Sequence, residues 1–74
     1  MFVEIDTPKG LYVLGHNKEV KIVTLVFAPR DEDKPVRKIF VKRNKSNTYL
    51  RAQFKRIRRE LERRYGTQNS DSGK

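Results

Sequence analysis

The chain has 74 residues and no cysteine, which bounds it to one domain with a modest core and excludes both a disulfide framework and a cysteine-built zinc site. Charged residues make up 36% and apolar residues 35%. No apolar run approaches the roughly 20 residues of a membrane-spanning helix. "MFVEIDTPKG" lacks a basic segment followed by an apolar one, so no signal peptide is expected and a cytoplasmic setting is inferred.

Lys and Arg number 18 against 9 acids, a formal net charge of +9, and they are unevenly placed. Residues 1–35 hold five cations (Lys9, Lys18, Lys21, Arg30, Lys34) and six acids (Glu4, Asp6, Glu19, Asp31, Glu32, Asp33). Residues 36–74 hold thirteen cations and three acids. A split of that kind points to a polyanion-binding surface in the C-terminal half more than to general solubility.

In chain order, "FVEID" alternates as a short strand, "TPKG" reads as a tight turn, and "LYVLG" completes a hairpin over residues 2–14. "GHNKE" is expected to turn, with Gly15 and Asn17 tolerating positive φ. Residues 20–28, "VKIVTLVFA", are rich in β-branched residues and apolar on both faces from Ile22 to Phe27, as a central strand would be. The polar loop "PRDEDKP" leads to "VRKIFVKR" over 36–43, the partner strand of a second hairpin. Its register is open, and a slip of one residue exchanges the faces of Ile39 and Phe40.

The period then changes. Ser46 and Asn47 are candidate N-caps for a helix over 48–65, and Gly66 is placed as its stop. Residues 67–74, "TQNSDSGK", are small and polar and are expected to form a disordered tail. The fold class that follows is α+β. Residues 1–66 form a small antiparallel meander of about four strands packed by one C-terminal helix.

At about 100° per residue, Leu50, Phe54, Ile57, Leu61 and Tyr65 fall within about 80° of arc, a stripe suited to docking on the sheet. Arg51, Lys55, Arg56, Arg58, Arg59 and Arg63 occupy the other side, while Glu60 and Arg64 flank the stripe. The predicted helix contains six arginines and one lysine against two acids. Arg offers a planar fork of donors matched to phosphate or guanine. A second basic cluster, Lys42, Arg43 and Lys45, leads into the helix N-terminus, whose free amides attract anions, and would make a phosphate clamp. Lys38, Phe40 and Lys42 alternate along the last strand. An aromatic between cations suits base stacking, although a core role for Phe40 is the commoner use of such a residue.

Other chemistry finds little support. His16 is read as an inert surface residue in a turn, and no set of metal ligands accompanies it. Asp31, Glu32 and Asp33 lack calcium-loop spacing and read as a solvated hairpin tip. Glu4 and Asp6 have no partner base, and no glycine-rich phosphate loop or nucleophile motif is present. The expectation is a protein that is not an enzyme and needs no cofactor or metal. Its expected role is a small basic nucleic-acid-binding, accessory or regulatory factor, with DNA, and duplex DNA first, favoured over RNA. The alternative is a protein-interaction module, an inhibitor or modulator docking on an acidic protein surface, with a homodimer through an open sheet face as one form of it. No membrane role is expected. In topology alone, a sheet followed by a packed helix is similar to the arm-site DNA-binding domains of tyrosine integrases and to PUR-type single-strand binders. That resemblance carries over no residues.

Overall fold

The structure is a computed structural model and describes residues 1–66; the tail expected over 67–74 lies outside the described residues. Four strands, β1 (Phe2–Thr7), β2 (Gly10–Asn17), β3 (Ile22–Pro29) and β4 (Arg37–Arg43), precede one helix, α1 (Asn47–Tyr65). The sheet is a meander in the order β1-β2-β3-β4, antiparallel throughout. The α+β architecture expected from the pattern is the one observed.

Each turn has a local cause. At the β1–β2 turn the buried Thr7 hydroxyl donates to the Gly10 carbonyl at 2.7 Å and accepts from the Gly10 and Lys9 amides at 3.2 and 3.3 Å. Gly10 is required by close approach, since a Cβ there would sit 2.7 Å from the Phe27 ring and 2.5 Å from the Ala28 carbonyl oxygen. The β2–β3 turn falls later than "GHNKE" suggested. Gly15 and His16 continue β2, pairing with Thr24 and Val23. The chain reverses only after Asn17, whose side-chain oxygen accepts from the amides of Glu19 and Val20. This Asx turn, with Lys21 at φ 55°, leaves Val20 outside β3 and 65% exposed.

One face of the sheet carries Val3, Ile5, Leu14, Val23 and Leu25, all buried together with Leu50, Phe54 and Leu61 of α1. The helical stripe therefore docks as its spacing predicts, with Ile57 and Tyr65 packed at the margin. The Ser46 hydroxyl accepts from the Tyr49 amide at 3.2 Å, which makes Ser46 the cap. Asn47 is the first helical residue and donates through its side chain to the Lys18 carbonyl at 3.2 Å, tying α1 to the β2–β3 turn. Gly66 stops the helix with φ 85°, its amide bonded to the Glu62 carbonyl at 2.7 Å.

The register of β4 contains the main departure from simple alternation. Leu25 faces Phe40, but Val26 faces Lys38, so Ile39 is an extra residue in a bulge. Phe40 turns to the helix side and packs against the core, while Lys38 lies with Val26 on the open face. Lys38 and Phe40 therefore do not share a face, and the stacking pattern read from Lys38, Phe40 and Lys42 is not formed.

Candidate nucleic-acid interface

Helix α1 is about 28 Å long at 1.5 Å per residue, and its outer side is held by the core stripe beneath it. Its cations divide into two groups. Arg58 bonds Glu62 at 3.0 Å, Arg63 and Arg64 both engage Glu60, and Arg56 donates to Gln53 at 2.6 Å. The Glu60 carboxyl is held below its usual range, first by the hydrogen bond from Arg63 and then by that residue's charge. Arg51, Lys55 and Arg59 are exposed and have no side-chain partner among the described residues. Spaced four residues apart, they form a row about 12 Å long on the side of the helix away from the sheet.

The basic junction is less convergent than its sequence suggests. Lys42 lies opposite Val23 on the helix side and is half-buried, whereas Arg43 lies opposite Ile22 on the open face. Neighbouring strand residues point to opposite faces, so Lys42 and Arg43 cannot close on one phosphate. Lys45 sits over the Tyr49 ring, 5.9 Å from its centre, beside the first turn of α1. Lys42 and Lys45 are thus brought to the helix side and Arg43 is not.

A basic and aromatic surface that the sequence reading did not single out lies at the other end of the sheet, beside the helix C-terminus. Tyr12 packs against Phe27 with ring centres 4.7 Å apart and against Tyr65 at 5.6 Å. A hollow of 760 Å³ opens on these three rings, with Lys9, Arg37 and Arg64 around it. It shares Phe27, Lys9 and Arg37 with a neighbouring hollow of 590 Å³ that Lys34 also lines. Register explains the assembly. Tyr12, Phe27 and Arg37 form one cross-strand row, and the β1–β2 turn brings Lys9 to its end. The Tyr12 hydroxyl is held above its ordinary value, first by its hydrogen bond with the Tyr65 side chain and then by burial. Tyr12 in "LYVLG" and Phe27 in "VFAPR" stand as single aromatics in the sequence, and only the pairing of β2, β3 and β4 places them together with Arg37.

His16 is the other residue misplaced by the sequence reading. It is 3% exposed, on the helix side, its ring centre 6.4 Å from that of Phe54, and neither ring nitrogen has a hydrogen-bond partner among the described residues. The longer β2 is the cause, because the alternation that buries Leu14 also buries His16.

Asp31, Glu32 and Asp33 are exposed, as a solvated tip should be, and the Asp31 side chain accepts from the Asp33 amide. Among the described residues no group of three or more His, Cys, Asp or Glu is placed to hold a metal ion, and no helix is long and apolar enough to cross a membrane. No family model, curated protein or solved structure matches the chain.

Proposed function

We propose that the protein is a small nucleic-acid-binding module of accessory or regulatory type, with DNA favoured over RNA. The observation that carries this reading is the exposed, unpartnered row Arg51, Lys55 and Arg59 on a helix anchored by Leu50, Phe54 and Leu61. Like charges at four-residue spacing weaken a helix by a few tenths of a kcal/mol per pair. A polyanion removes that repulsion and gains counterion release, so binding converts a local cost into affinity. Lys42 and Lys45 add charge beside the first turn, and Arg56 and Arg63 extend the row around the helix.

Titration of labelled duplex DNA, single-stranded DNA and RNA at several salt concentrations tests the reading. With three phosphates neutralised by the row, log K against log salt is expected to fall with a slope of about −2 to −3. Replacing Arg51, Lys55 and Arg59 together by Glu is expected to abolish binding and leave the thermal midpoint within a few degrees. Failure of the wild-type protein to bind any of the three at low salt overturns the reading.

A second reading, protein–protein docking, is favoured by the uncovered sheet face. Leu11, Val13, Ile22, Val26 and Val41 lie there without a helix over them, beside Phe2 at 61% exposure. Glu4 and Asp6 mark the β1 edge of this face, and Lys38 and Arg43 the β4 edge. A second copy related by a two-fold axis along the strands would set β1 over β4, so the row Glu4–Val13–Val26–Lys38 would meet itself reversed, acid on base. Asp6 pairs with Arg30 at 2.8 Å, and Glu4 and Lys38 stand at the two ends of the row that would meet itself. In sedimentation equilibrium, E4K and K38E are each expected to weaken a dimer and the double exchange to restore it. A monomer at all concentrations removes this reading, and capture of an acidic protein by the helix row would replace the second copy with that partner.

A further inference from the structure

We propose that the hollow between Tyr12, Phe27 and Tyr65 is a binding site for an unpaired nucleotide of a single strand, its base stacked on the rings and its phosphates held by Lys9 and Arg37. The assignment rests on the nucleic-acid reading above and narrows it from a charged partner to a strand with exposed base faces.

Three features carry it. The first is the availability of an aromatic face. The Phe27 ring lies over Gly10, where any Cβ would come within 3 Å of it, so glycine holds the ring down on one side while hollows open beside it. The second is charge without opposition. Lys9, Arg37 and Arg64 surround the 760 Å³ hollow, and among the described residues no carboxylate lines it. Lys9 and Arg37 have no side-chain partner among the described residues, whereas Arg64 is partly held by Glu60. In the adjoining hollow Asp31, the one acid among the described residues that line it, has one oxygen committed to its own loop through the Asp33 amide. The third is rigidity. The contacts of the Tyr12 ring with Phe27 at 4.7 Å and with Tyr65 at 5.6 Å fix the floor between sheet and helix end, so little side-chain freedom remains to be lost on binding.

The chemistry selects single strands. In a duplex the base faces are covered by their neighbours and only edges are offered, so a ring floor is useful only to a base that is already unstacked or is drawn out. A hollow of this size falls within the range of sites that take small organic ligands. A nucleobase carrying phosphates fits the combination of ring floor and cationic rim.

The test compares a labelled single strand with a duplex of the same sequence by fluorescence anisotropy, for the wild-type protein, F27L and R37E. Leu keeps the apolar packing over Gly10 but removes the aromatic face, and the thermal midpoint of each variant confirms that it folds. The wild-type protein is expected to prefer the single strand. F27L is expected to bind it about tenfold more weakly, the loss of one base stack, with duplex affinity within about twofold of wild type. R37E, on the exposed surface, is expected to weaken single-strand binding by at least as much. Wild-type single-strand affinity in both variants overturns the site while leaving the helix row intact. Absence of any nucleic-acid binding by the wild-type protein overturns both readings together. Adenosine monophosphate is expected not to displace the strand; displacement at equal nucleotide concentration would assign the hollow to free nucleotides instead.

Discussion

At the scale of single residues, the informative positions are those where packing decides what an ambiguous side chain does. His16 is polar, follows a glycine and precedes an asparagine, and every local signal favours a turn. It is buried because β2 runs to Asn17, and strand length is set by pairing with β1 and β3, which no local pattern reveals. Tyr12 and Tyr65 are 53 positions apart in sequence, yet their ring centres lie 5.6 Å apart and the Tyr65 side chain bears on the Tyr12 hydroxyl. Its consequence for pH has a definite sign. The folded chain holds the Tyr12 hydroxyl above its ordinary value, so the folded state favours the protonated phenol. The stability this contributes is complete below about pH 10 and is lost as pH rises through the folded value. Thermal melts between neutral and strongly alkaline pH are expected to show this loss in the wild-type protein. In Y65F the neutral-pH stability is expected to fall by about 1 kcal/mol, and the alkaline decline to be shallower, because the bond that opposes ionisation is gone. Parallel pH profiles for the two proteins would remove the hydrogen bond as the cause.

At the scale of elements, α1 was the most legible part of the chain. Its apolar period, its Ser46 cap and its Gly66 stop all point to the same helix, and three of the five stripe residues are buried. Agreement among independent local signals is what makes an element readable. The cap has a measurable share in this. S46A removes the acceptor for the Tyr49 amide at the end of a helix with no acid in its first turn, so nothing else there offsets the exposed amides. The expected cost is about 1 kcal/mol in chemical denaturation. A change below a few tenths would mean that Asn47 or solvent substitutes for the hydroxyl. β4 was legible as a strand but not as a pattern of faces. "VRKIFVKR" alternates well enough in either register, and the bulge at Ile39 resolves the choice by using both: Lys38 follows one face assignment and Phe40 the other. The basic junction failed to converge for the related reason that Lys42 and Arg43 are sequence neighbours on an extended strand.

At the scale of the whole molecule, the division of charge by sequence half proves to be only part of the picture. The half with the slight acidic excess contributes Lys9 and Lys34 to the basic surface at the helix C-terminal end; of its acids Asp31 reaches the smaller hollow there, while Glu4 and Asp6 lie on the β1 edge of the open face, Glu19 in the β2–β3 turn, and Glu32 and Asp33 in the β3–β4 loop. Arg30 clamps that loop to the β1–β2 turn through the Thr7 and Pro8 carbonyls and the Asp6 carboxylate. The helix row was visible from periodicity alone, whereas the aromatic hollow exists only because three strands and a helix end meet.

An open meander has two unprotected edges, and each could recruit a further strand from a neighbouring molecule and so begin a fibre. The extra residue at Ile39 has a meaning for that hazard. It interrupts the outer ladder of β4 midway, and Arg37, Lys38, Lys42 and Arg43 place four like charges along a seven-residue border. An identical strand laid alongside would find its hydrogen bonds out of step and its charges opposed. The irregularity that hid the strand's faces from the sequence thus guards the sheet against growth at that border.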